Sequence, residues 1–191
     1  MNKKDYIKYY HLEDYLFGEV SESYHRTKRL TAFDFFCIVV WKANRAKSKV
    51  AKRLLAQGHA NLDGAVAALV RDITAAIEPK QRLKVLVSEW GFRLPMASAI
   101  LTVLFPDDFT VYDVRVCDAL GDFTDAQYKT RFDDLWTRYS EYVRAVTVAV
   151  DGKRSLRDKD RFLWGRSFVT QLERDIRDSF GHTAEDADLE A

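Results

Sequence analysis

Proline and glycine are scarce in this chain of 191 residues, which contains three prolines and eight glycines. The long stretches between them carry apolar residues at helical spacing rather than in alternation. Because proline and glycine interrupt secondary structure, this distribution predicts an all-α protein. Hydrophobic residues make up 47% of the chain, which indicates a globular protein with one sizeable core or two small lobes that share one.

Cysteine is rare as well, and the two cysteines form no recognisable metal or disulfide motif. Cys37 and Cys117 lie in apolar helical patterns, without a CxxC motif and without a histidine at ligand spacing. We therefore expect two buried free thiols, and we predict no metal site.

Long apolar runs are missing from the sequence. No run approaches the roughly 18 residues that a membrane-spanning helix needs. The first ten residues, MNKKDYIKYY, lack the apolar core of a signal peptide. These features predict a cytoplasmic protein without a membrane partner, and nothing in the sequence indicates an obligate protein partner.

The net charge of +1 conceals an uneven distribution of charge along the chain. The last eleven residues, 181–191, carry four acidic residues and no basic one, so residues 1–180 together carry about +5. We predict that this acidic tail is disordered. The stretch from Lys42 to Arg53 contains six cations and no acid, and it is either a solvated helix face or a surface that contacts phosphates.

Three pairs of polar residues have the spacing of a capping box and predict helix starts. Thr31 with Asp34 begins a helix over 31–42, Thr124 with Gln127 begins a long helix, and Ser155 with Asp158 begins a last helix that reaches about residue 180. The predicted buried face of the first consists of Phe33, Phe36, Cys37, Val40 and Trp41. That of the long helix consists of Tyr128, Phe132, Leu135, Trp136, Tyr139, Val143 and Val146.

The middle of the chain predicts an ordered series of short elements. An amphipathic helix over 61–77 and a short helix over 81–90 precede a turn at Gly91, and a helix over 94–105 follows it. After Pro106 the segment TVYD is extended and leads into a short helix, VRVCDAL. Asp113 has the right chemistry to cap that helix, yet it is a single carboxylate among Val111, Tyr112 and Val114.

This order of elements resembles the helix-hairpin-helix DNA glycosylase superfamily of the endonuclease III and adenine glycosylase type. In that family a hairpin of the form PGVGxKTA or PGVGxxTA precedes a loop that carries the catalytic aspartate in a PVDxxV-like context. The stretch WGFRLPMASAIL aligns with the hairpin, with Gly91 at the first glycine and Ala97 at the small residue of the second helix. VYDVRV then aligns with the aspartate loop, and the eighteen residues from Pro95 to Asp113 are close to the family's spacing.

The resemblance implies a two-lobed helical fold with a central helix-hairpin-helix, formed by residues 1–180 as a single unit. Lobe one would span about 50–120, with the hairpin at 89–95, and lobe two would be built from 1–49 and 121–180. No cofactor is implied beyond a monovalent cation at the hairpin, and no cysteine cluster is present for the iron-sulfur cluster of some relatives.

Two positions depart from the family's pattern and change what the resemblance implies. Arg93 replaces the second hairpin glycine, so a side chain stands where the family brings its backbone close to a phosphate. Pro95 stands where bifunctional members have the lysine that forms a Schiff base with the sugar and cuts the strand. The resemblance therefore implies a monofunctional N-glycosylase, a hydrolase of base excision repair that acts on double-stranded DNA and lacks lyase activity.

Asp113 is the catalytic residue that the resemblance implies. A carboxylate near C1′ of the sugar stabilises the positive charge that develops as the N-glycosidic bond breaks, and it orients or deprotonates the attacking water. The alternative is that Asp113 caps its helix and does nothing else. The two roles are compatible, because a helix amino terminus orients a carboxylate.

The remaining candidate site residues fall into a DNA-contacting set and a base pocket. Backbone amides at the start of a helix bind phosphate, which makes the hairpin residues Gly91, Phe92, Arg93 and Leu94 the first part of the DNA-contacting set. Its cationic part consists of Lys84, Arg115, Lys42 and Arg45. Arg115 alternatively pairs with Asp118. The predicted walls of the base pocket are Trp41, Asn44, Tyr112 and Trp164, although core packing is the favoured interpretation of both tryptophans.

Two other functions fit the same residues. The first is a DNA-binding module that kept the hairpin and lost the chemistry, which the Arg93 and Pro95 departures favour. The second is a helical protein-interaction domain in which the hairpin is a simple turn between helices. The sequence leaves open which base a glycosylase of this kind would recognise.

Overall fold

The computed structural model describes residues 6–152, 154–178 and 180, and the described residues form helices, turns and loops without a strand. The all-α prediction is confirmed. The first helix, α1, is continuous and consists of Leu12–Tyr15, a π turn at Leu16–Val20, and Ser21–Thr27. The others are α2 (Ala32–Ala43), α3 (Lys47–Leu55), α4 (Leu62–Ala75), α5 (Pro79–Lys84), α6 (Leu94–Leu104), α7 (Val114–Leu120), α8 (Phe132–Ala149) and α9 (Leu156–Arg177).

Short irregular turns complete the described helical structure. A π turn at Val85–Glu89 extends α5, and 3₁₀ turns lie at Ile7–Tyr9, Asn44–Ala46 and Ala126–Tyr128. Among the described helices, none is both long enough and apolar enough to cross a bilayer. The predicted acidic tail, 181–191, lies outside the described residues.

Two of the three predicted capping boxes begin helices. The hydroxyl oxygens of Thr31 and Ser155 each accept a hydrogen bond from the backbone N–H three residues later, in both cases at 3.1 Å. The helix start predicted at Thr124 is wrong, because α8 begins only at Phe132. Asp122 and Asp125 both form ion pairs with Arg138 of α8, and these contacts hold the preceding segment against the side of α8 as a loop.

The predicted buried face of α2 is also wrong. Phe35, Ile38 and Val39 are the fully buried residues of this helix, whereas Phe33 is 51% exposed. The reason is that α2 is apolar on nearly all sides and packs against α1, α4 and α6 at once. When a helix has no polar face, the spacing of its apolar residues does not show which side is buried.

The centre of the core is α6, in which every residue from 97 to 104 is buried. The chain then returns along α6 in an extended segment, 109–113, whose backbone groups cannot pair with a neighbouring strand. Side chains take that role: Ser98 Oγ accepts from the Tyr112 N–H at 2.9 Å, and the Tyr142 hydroxyl donates to the Val111 carbonyl at 2.8 Å. Ser98 lies in the first half of α6, so this return places Tyr112, and Asp113 after it, alongside that half of the helix.

Within the part of the chain that the structure describes, neither cysteine forms a disulfide. Cys117 is fully buried, and burial raises the pKa of its thiol to about 11. Cys37 is half-buried rather than buried. The described residues share one continuous hydrophobic core, and the division into two lobes stays a prediction.

A candidate nucleic-acid site around Asp113

Both carboxylate oxygens of Asp113 accept hydrogen bonds from the protein. Oδ1 accepts from the backbone N–H of Arg115 at 3.1 Å, which confirms Asp113 as the amino-terminal cap of α7. Oδ2 accepts from Nζ of Lys42, at the end of α2, at 2.6 Å. The two donors come from different helices and fix the plane of the carboxylate, and 24% of the Asp113 side chain still remains exposed.

Asp113 lines an open cleft of about 560 Å³. Binding sites for small organic groups commonly measure about 300 to 1,000 Å³, so this cleft is large enough for a nucleobase with its sugar. Its walls come from α1, α2, α7 and α9 and from the extended segment before α7. The lining residues are Glu13, Trp41, Lys42, Val111, Asp113, Val114, Arg115, Arg157, Asp160, Arg161 and Trp164.

Arg157 contacts several residues of the cleft at once. Its guanidinium carbon lies 5.1 Å from the ring centres of both Phe17 and Trp41. The same group donates to Glu13 of α1 at 2.7 Å and forms an ion pair with Asp160 of α9. These contacts hold the Trp41 indole and the two carboxylates in fixed relative positions at the edge of the cleft.

Asp160 is one of three carboxylates in the cleft lining, with Glu13 and Asp113, and it is only 2% exposed. Burial raises its pKa to about 6, although the charge of Arg157 and its hydrogen bond favour the carboxylate form, and Asp113 nearby raises the pKa further. A buried carboxyl with a pKa this close to neutrality changes its protonation state within the range in which many enzymes work.

Trp164 and Arg115 are adjacent residues of the cleft lining. The Arg115 guanidinium lies 5.4 Å from the Trp164 ring centre and donates to Oε1 of Gln171 at 2.8 Å. The predicted alternative pairing of Arg115 with Asp118 is therefore wrong. Core packing, the favoured interpretation of Trp164, is also wrong, since this side chain is 42% exposed and stacks on Phe168.

The turn before α6 has the backbone conformation of a tight hairpin, with Gly91 at φ +67°. The Gly91 carbonyl accepts a hydrogen bond from the Arg53 guanidinium, which places a positive charge at the hairpin where the sequence predicted a monovalent cation. That cation stays a prediction. Arg93 is exposed at the cap position of α6, and within the described chain the N–H groups of Arg93 and Leu94 donate no hydrogen bond.

Several predicted site residues lie elsewhere or point elsewhere. Tyr112, a predicted pocket wall, is 2% exposed, and its hydroxyl donates to the Phe123 carbonyl at 2.7 Å, so the pocket prediction for it is wrong. The Phe92 N–H is not free for a phosphate, because it donates to the Leu86 carbonyl at 2.9 Å. Exposed positions outside the cleft lining are taken by Lys84, Arg45 and Asn44.

The sequence reasoning missed Glu13, Arg157 and Asp160 as cleft residues. Asp160 carried a usable signal, since it lies three residues before the buried Leu163 on the inward side of α9. Glu13 carried no signal in the sequence. It lies 144 residues from its partner Arg157, and only the folded chain brings the two together.

Among residues 6–152, 154–178 and 180, no group of three or more histidine, cysteine or acidic side chains is placed to hold a metal ion. Comparison with models of protein families, with curated proteins and with solved structures gave no match. The function of the chain therefore has to be argued from the cleft itself.

Proposed function

We propose that this chain is a monofunctional DNA N-glycosylase that removes a damaged or modified base from duplex DNA. The observation that carries the proposal is the position of Asp113: a doubly hydrogen-bonded, partly exposed carboxylate in a cleft that two tryptophans, Trp41 and Trp164, help to line. The resemblance of 89–116 to a glycosylase hairpin and aspartate loop, the basis of the sequence prediction, points to the same residue.

Asp113 acts on the sugar of the bound nucleotide. As the N-glycosidic bond breaks, C1′ and the ring oxygen gain positive charge, which a nearby carboxylate stabilises. A water molecule that approaches C1′ gives its proton to the same carboxylate or is oriented by it. Lys42 and the Arg115 amide keep the carboxylate from rotating, so that it needs little reorganisation during the reaction.

The cleft walls suit a nucleotide that has left the base stack. Enzymes that act on a base in a duplex extrude it into a pocket and hold it between aromatic or apolar side chains. Trp41 and Trp164 supply aromatic surfaces, and the guanidinium groups of Arg157 and Arg115 keep each of them in place. Val111 and Val114 add apolar surface beside the carboxylate.

The DNA backbone is held by cations at the cleft and at the hairpin. Arg115 and Arg161 line the cleft, and Arg93 lies exposed at the start of α6 with an N–H that donates no hydrogen bond within the described residues. Phosphate oxygens accept hydrogen bonds from helix-terminal N–H groups and from arginine side chains. Because the extended segment returns alongside the first half of α6, the hairpin contacts the strand near the nucleotide whose sugar faces Asp113.

The absence of lyase activity is part of the proposal. Pro95 has no amine to offer at the hairpin position. The amine within the cleft, Lys42, donates to Asp113, and an ammonium group in that state has no lone pair with which to attack C1′. Borohydride reduction of a mixture with abasic-site DNA tests this point: a covalent complex that depends on Lys42 would refute the monofunctional assignment.

The main experiment compares wild type with Asp113→Asn on duplexes that carry a panel of damaged or modified bases, followed by alkali to cut abasic sites. We expect cleavage by wild type and its loss in the variant. Asp118→Asn is the matched control, because Asp118 is an exposed carboxylate of the same helix outside the cleft lining. Equal cleavage by wild type and Asp113→Asn, or none by either on any substrate, contradicts the catalytic assignment.

One observation favours a second function, a DNA-binding module without chemistry. The Lys42 ammonium occupies Oδ2 of Asp113 at 2.6 Å, where a reacting water would otherwise be held. A module of this kind binds duplex DNA with an affinity that falls steeply with salt, because phosphate contacts release counterions. Salt-dependent binding by both wild type and Asp113→Asn, without release of any base, would establish this second function.

A further inference from the structure

The carboxyl-terminal half of α9 presents an exposed row of apolar residues that no part of the described chain covers. Val169, Leu172 and Ile176 are 50%, 38% and 59% exposed. With Gly165 they follow the spacing of four, three and four residues that places side chains along one side of a helix. We call Gly165, Val169, Leu172 and Ile176 the α9 stripe.

The α9 stripe faces away from both the protein body and the Asp113 cleft. Each residue of an α-helix turns by about 100° around the axis. Asp160 and Leu163, the buried residues of α9, therefore lie on nearly the opposite side from Val169 and Ile176. Trp164, which lines the cleft, also projects well away from the stripe.

Gly165 has no packing function among the described residues of its own chain. A Cβ atom at this position would meet none of their heavy atoms within 4 Å, so nothing nearby requires its small size. Glycine inside an exposed helix is unfavourable compared with alanine. Gly165 leaves room for a bulky side chain from a second helix.

The charges beside the α9 stripe fit a second copy of the same helix in antiparallel orientation. Arg166 and Glu173 lie on one edge of the stripe and are both exposed. When two copies cross antiparallel around a two-fold axis between residues 169 and 172, Arg166 lies beside the partner's Glu173, and the same pair forms again by symmetry. A parallel pair brings no such opposite charges together.

The same arrangement also fits the sizes of the stripe residues. Val169 meets the partner's Leu172, and Gly165 meets the partner's Ile176, so a large side chain fills the space left by the small one. Within the single chain one Arg166 N–H donates to the Ala119 carbonyl of α7 at 2.6 Å, so the remaining N–H groups of the guanidinium are the ones that pair with the partner's Glu173.

We propose that the chain forms a homodimer through antiparallel pairing of the α9 stripe. Sedimentation velocity of the full chain over a concentration series tests this directly. The expected result is a reversible shift from the monomer mass of 22.1 kDa to twice that mass as concentration rises. Leu172→Glu and Val169→Lys each place a charge in the interface, and we expect each to raise the dimer dissociation constant by tenfold or more, on the order of 1.4 kcal/mol.

Two sets of variants make the test specific. Val148→Glu puts the same charge at a 77% exposed valine of α8 and leaves dimerisation unchanged. Arg166→Glu and Glu173→Arg each weaken the dimer through like charges, and the double exchange restores it. Circular dichroism checks that every variant is folded.

A monomer at every concentration overturns the proposal, and so does a dimer that Leu172→Glu and Val169→Lys leave intact. A double exchange that stays as weak as the single variants overturns the antiparallel arrangement. None of these results depends on whether the Asp113 cleft is catalytic.

Discussion

The ammonium nitrogen of Lys42 lies 2.6 Å from Oδ2 of Asp113 and joins the end of α2 to the start of α7. This ion pair connects two helices that are 71 residues apart in the chain. The side chains are 14% and 24% exposed, so water screens the pair only in part. The pair therefore links two helices, and it also places a positive charge directly beside the proposed catalytic group.

The first prediction concerns Lys42→Met. The variant loses the donor to Oδ2 while it keeps most of the side chain's apolar bulk. We expect the free energy of unfolding to fall by about 1 kcal/mol or less. Base release should fall by about tenfold to a hundredfold, because a carboxylate free to rotate is misplaced during the reaction. Urea unfolding and single-turnover assays measure the two effects.

The control for this variant is Lys47→Met, which changes an exposed lysine of the same basic stretch. It should alter neither stability nor base release. A double-mutant cycle of Lys42→Met with Asp113→Asn isolates the ion pair from other effects of the two substitutions. Additive changes in unfolding free energy would show that the pair does not stabilise the fold.

The second prediction concerns Asp160 and pH. Burial raises the folded-state pKa of Asp160 from 3.8 to about 6. Between these two pH values the folded protein therefore carries a proton on Asp160 that the unfolded chain has lost. The stabilisation that this proton provides is complete below pH 3.8 and is lost as pH rises through about 6. Relative to Asp160→Asn, which does not titrate, wild type should lose about 3 kcal/mol over this range.

Denaturant unfolding of both proteins at a series of pH values between 4 and 7 measures this difference. The difference in unfolding free energy, wild type minus variant, should decrease with pH and then level off. An increase with pH would mean that the ion pair with Arg157 outweighs the burial of the carboxyl group.

The features predicted from sequence were those that depend on neighbouring residues. Thr31, Ser155 and Asp113 each cap a helix that starts at the next residue, and a cap needs no knowledge of the rest of the fold. Thr124 failed for the opposite reason, because Arg138, in the next helix, binds the acidic residues on either side of it. A tertiary contact outweighed a local preference there.

The site was predictable in its centre and not at its edges. Lys42 belongs to the basic stretch that ends at Arg53, and Asp113 and Arg115 belong to the VYDVRV motif, so the sequence shows these residues directly. Glu13 and Arg157 meet only in the folded chain, because α1 contacts α9 near Trp41. Tyr112 was a mistake that the sequence could have prevented. Successive residues of an extended segment point to opposite sides, so Tyr112, which precedes Asp113 within that segment, points away from the cleft.

The third prediction concerns the hairpin turn. Gly91 has φ +67°, a left-handed conformation that costs a residue with a Cβ about 1 to 2 kcal/mol. Gly91→Ala should lower the unfolding free energy by this amount. The cost comes from the backbone conformation and not from a clash, because the atom nearest to the new Cβ, Arg53 Nε, is 4.0 Å away. Thermal or urea unfolding gives the value. DNA affinity should fall too, because the relaxed turn no longer aligns the α6 amides.

Gly18→Ala is the matched control for the turn. Gly18 lies within α1, and a Cβ there meets no atom within 4 Å. Alanine favours a helix over glycine by about 1 kcal/mol, so this variant should be neutral or more stable. If both alanine variants changed stability in the same direction, backbone conformation at Gly91 would not be the cause.

The fourth prediction concerns Arg93, which replaces a glycine of the family's hairpin pattern. If its side chain contacts a phosphate beside the α6 amides, Arg93→Ala removes one ionic contact. The slope of log K against log salt concentration should then become shallower by about 0.9. Affinity for different duplex sequences should fall by a similar factor, because a phosphate contact carries no base information. Fluorescence anisotropy at several salt concentrations measures both quantities.

Arg71→Ala provides the comparison that gives this result its meaning. Arg71 is a 74% exposed arginine of α4 that pairs with Asp72. Its replacement by alanine removes one positive charge from the protein, as Arg93→Ala does. A slope that changes equally in the two variants would reflect overall charge and no contact at the hairpin. A change confined to Arg93→Ala would place a phosphate at the start of α6, the helix whose Ser98 accepts a hydrogen bond from the residue before Asp113.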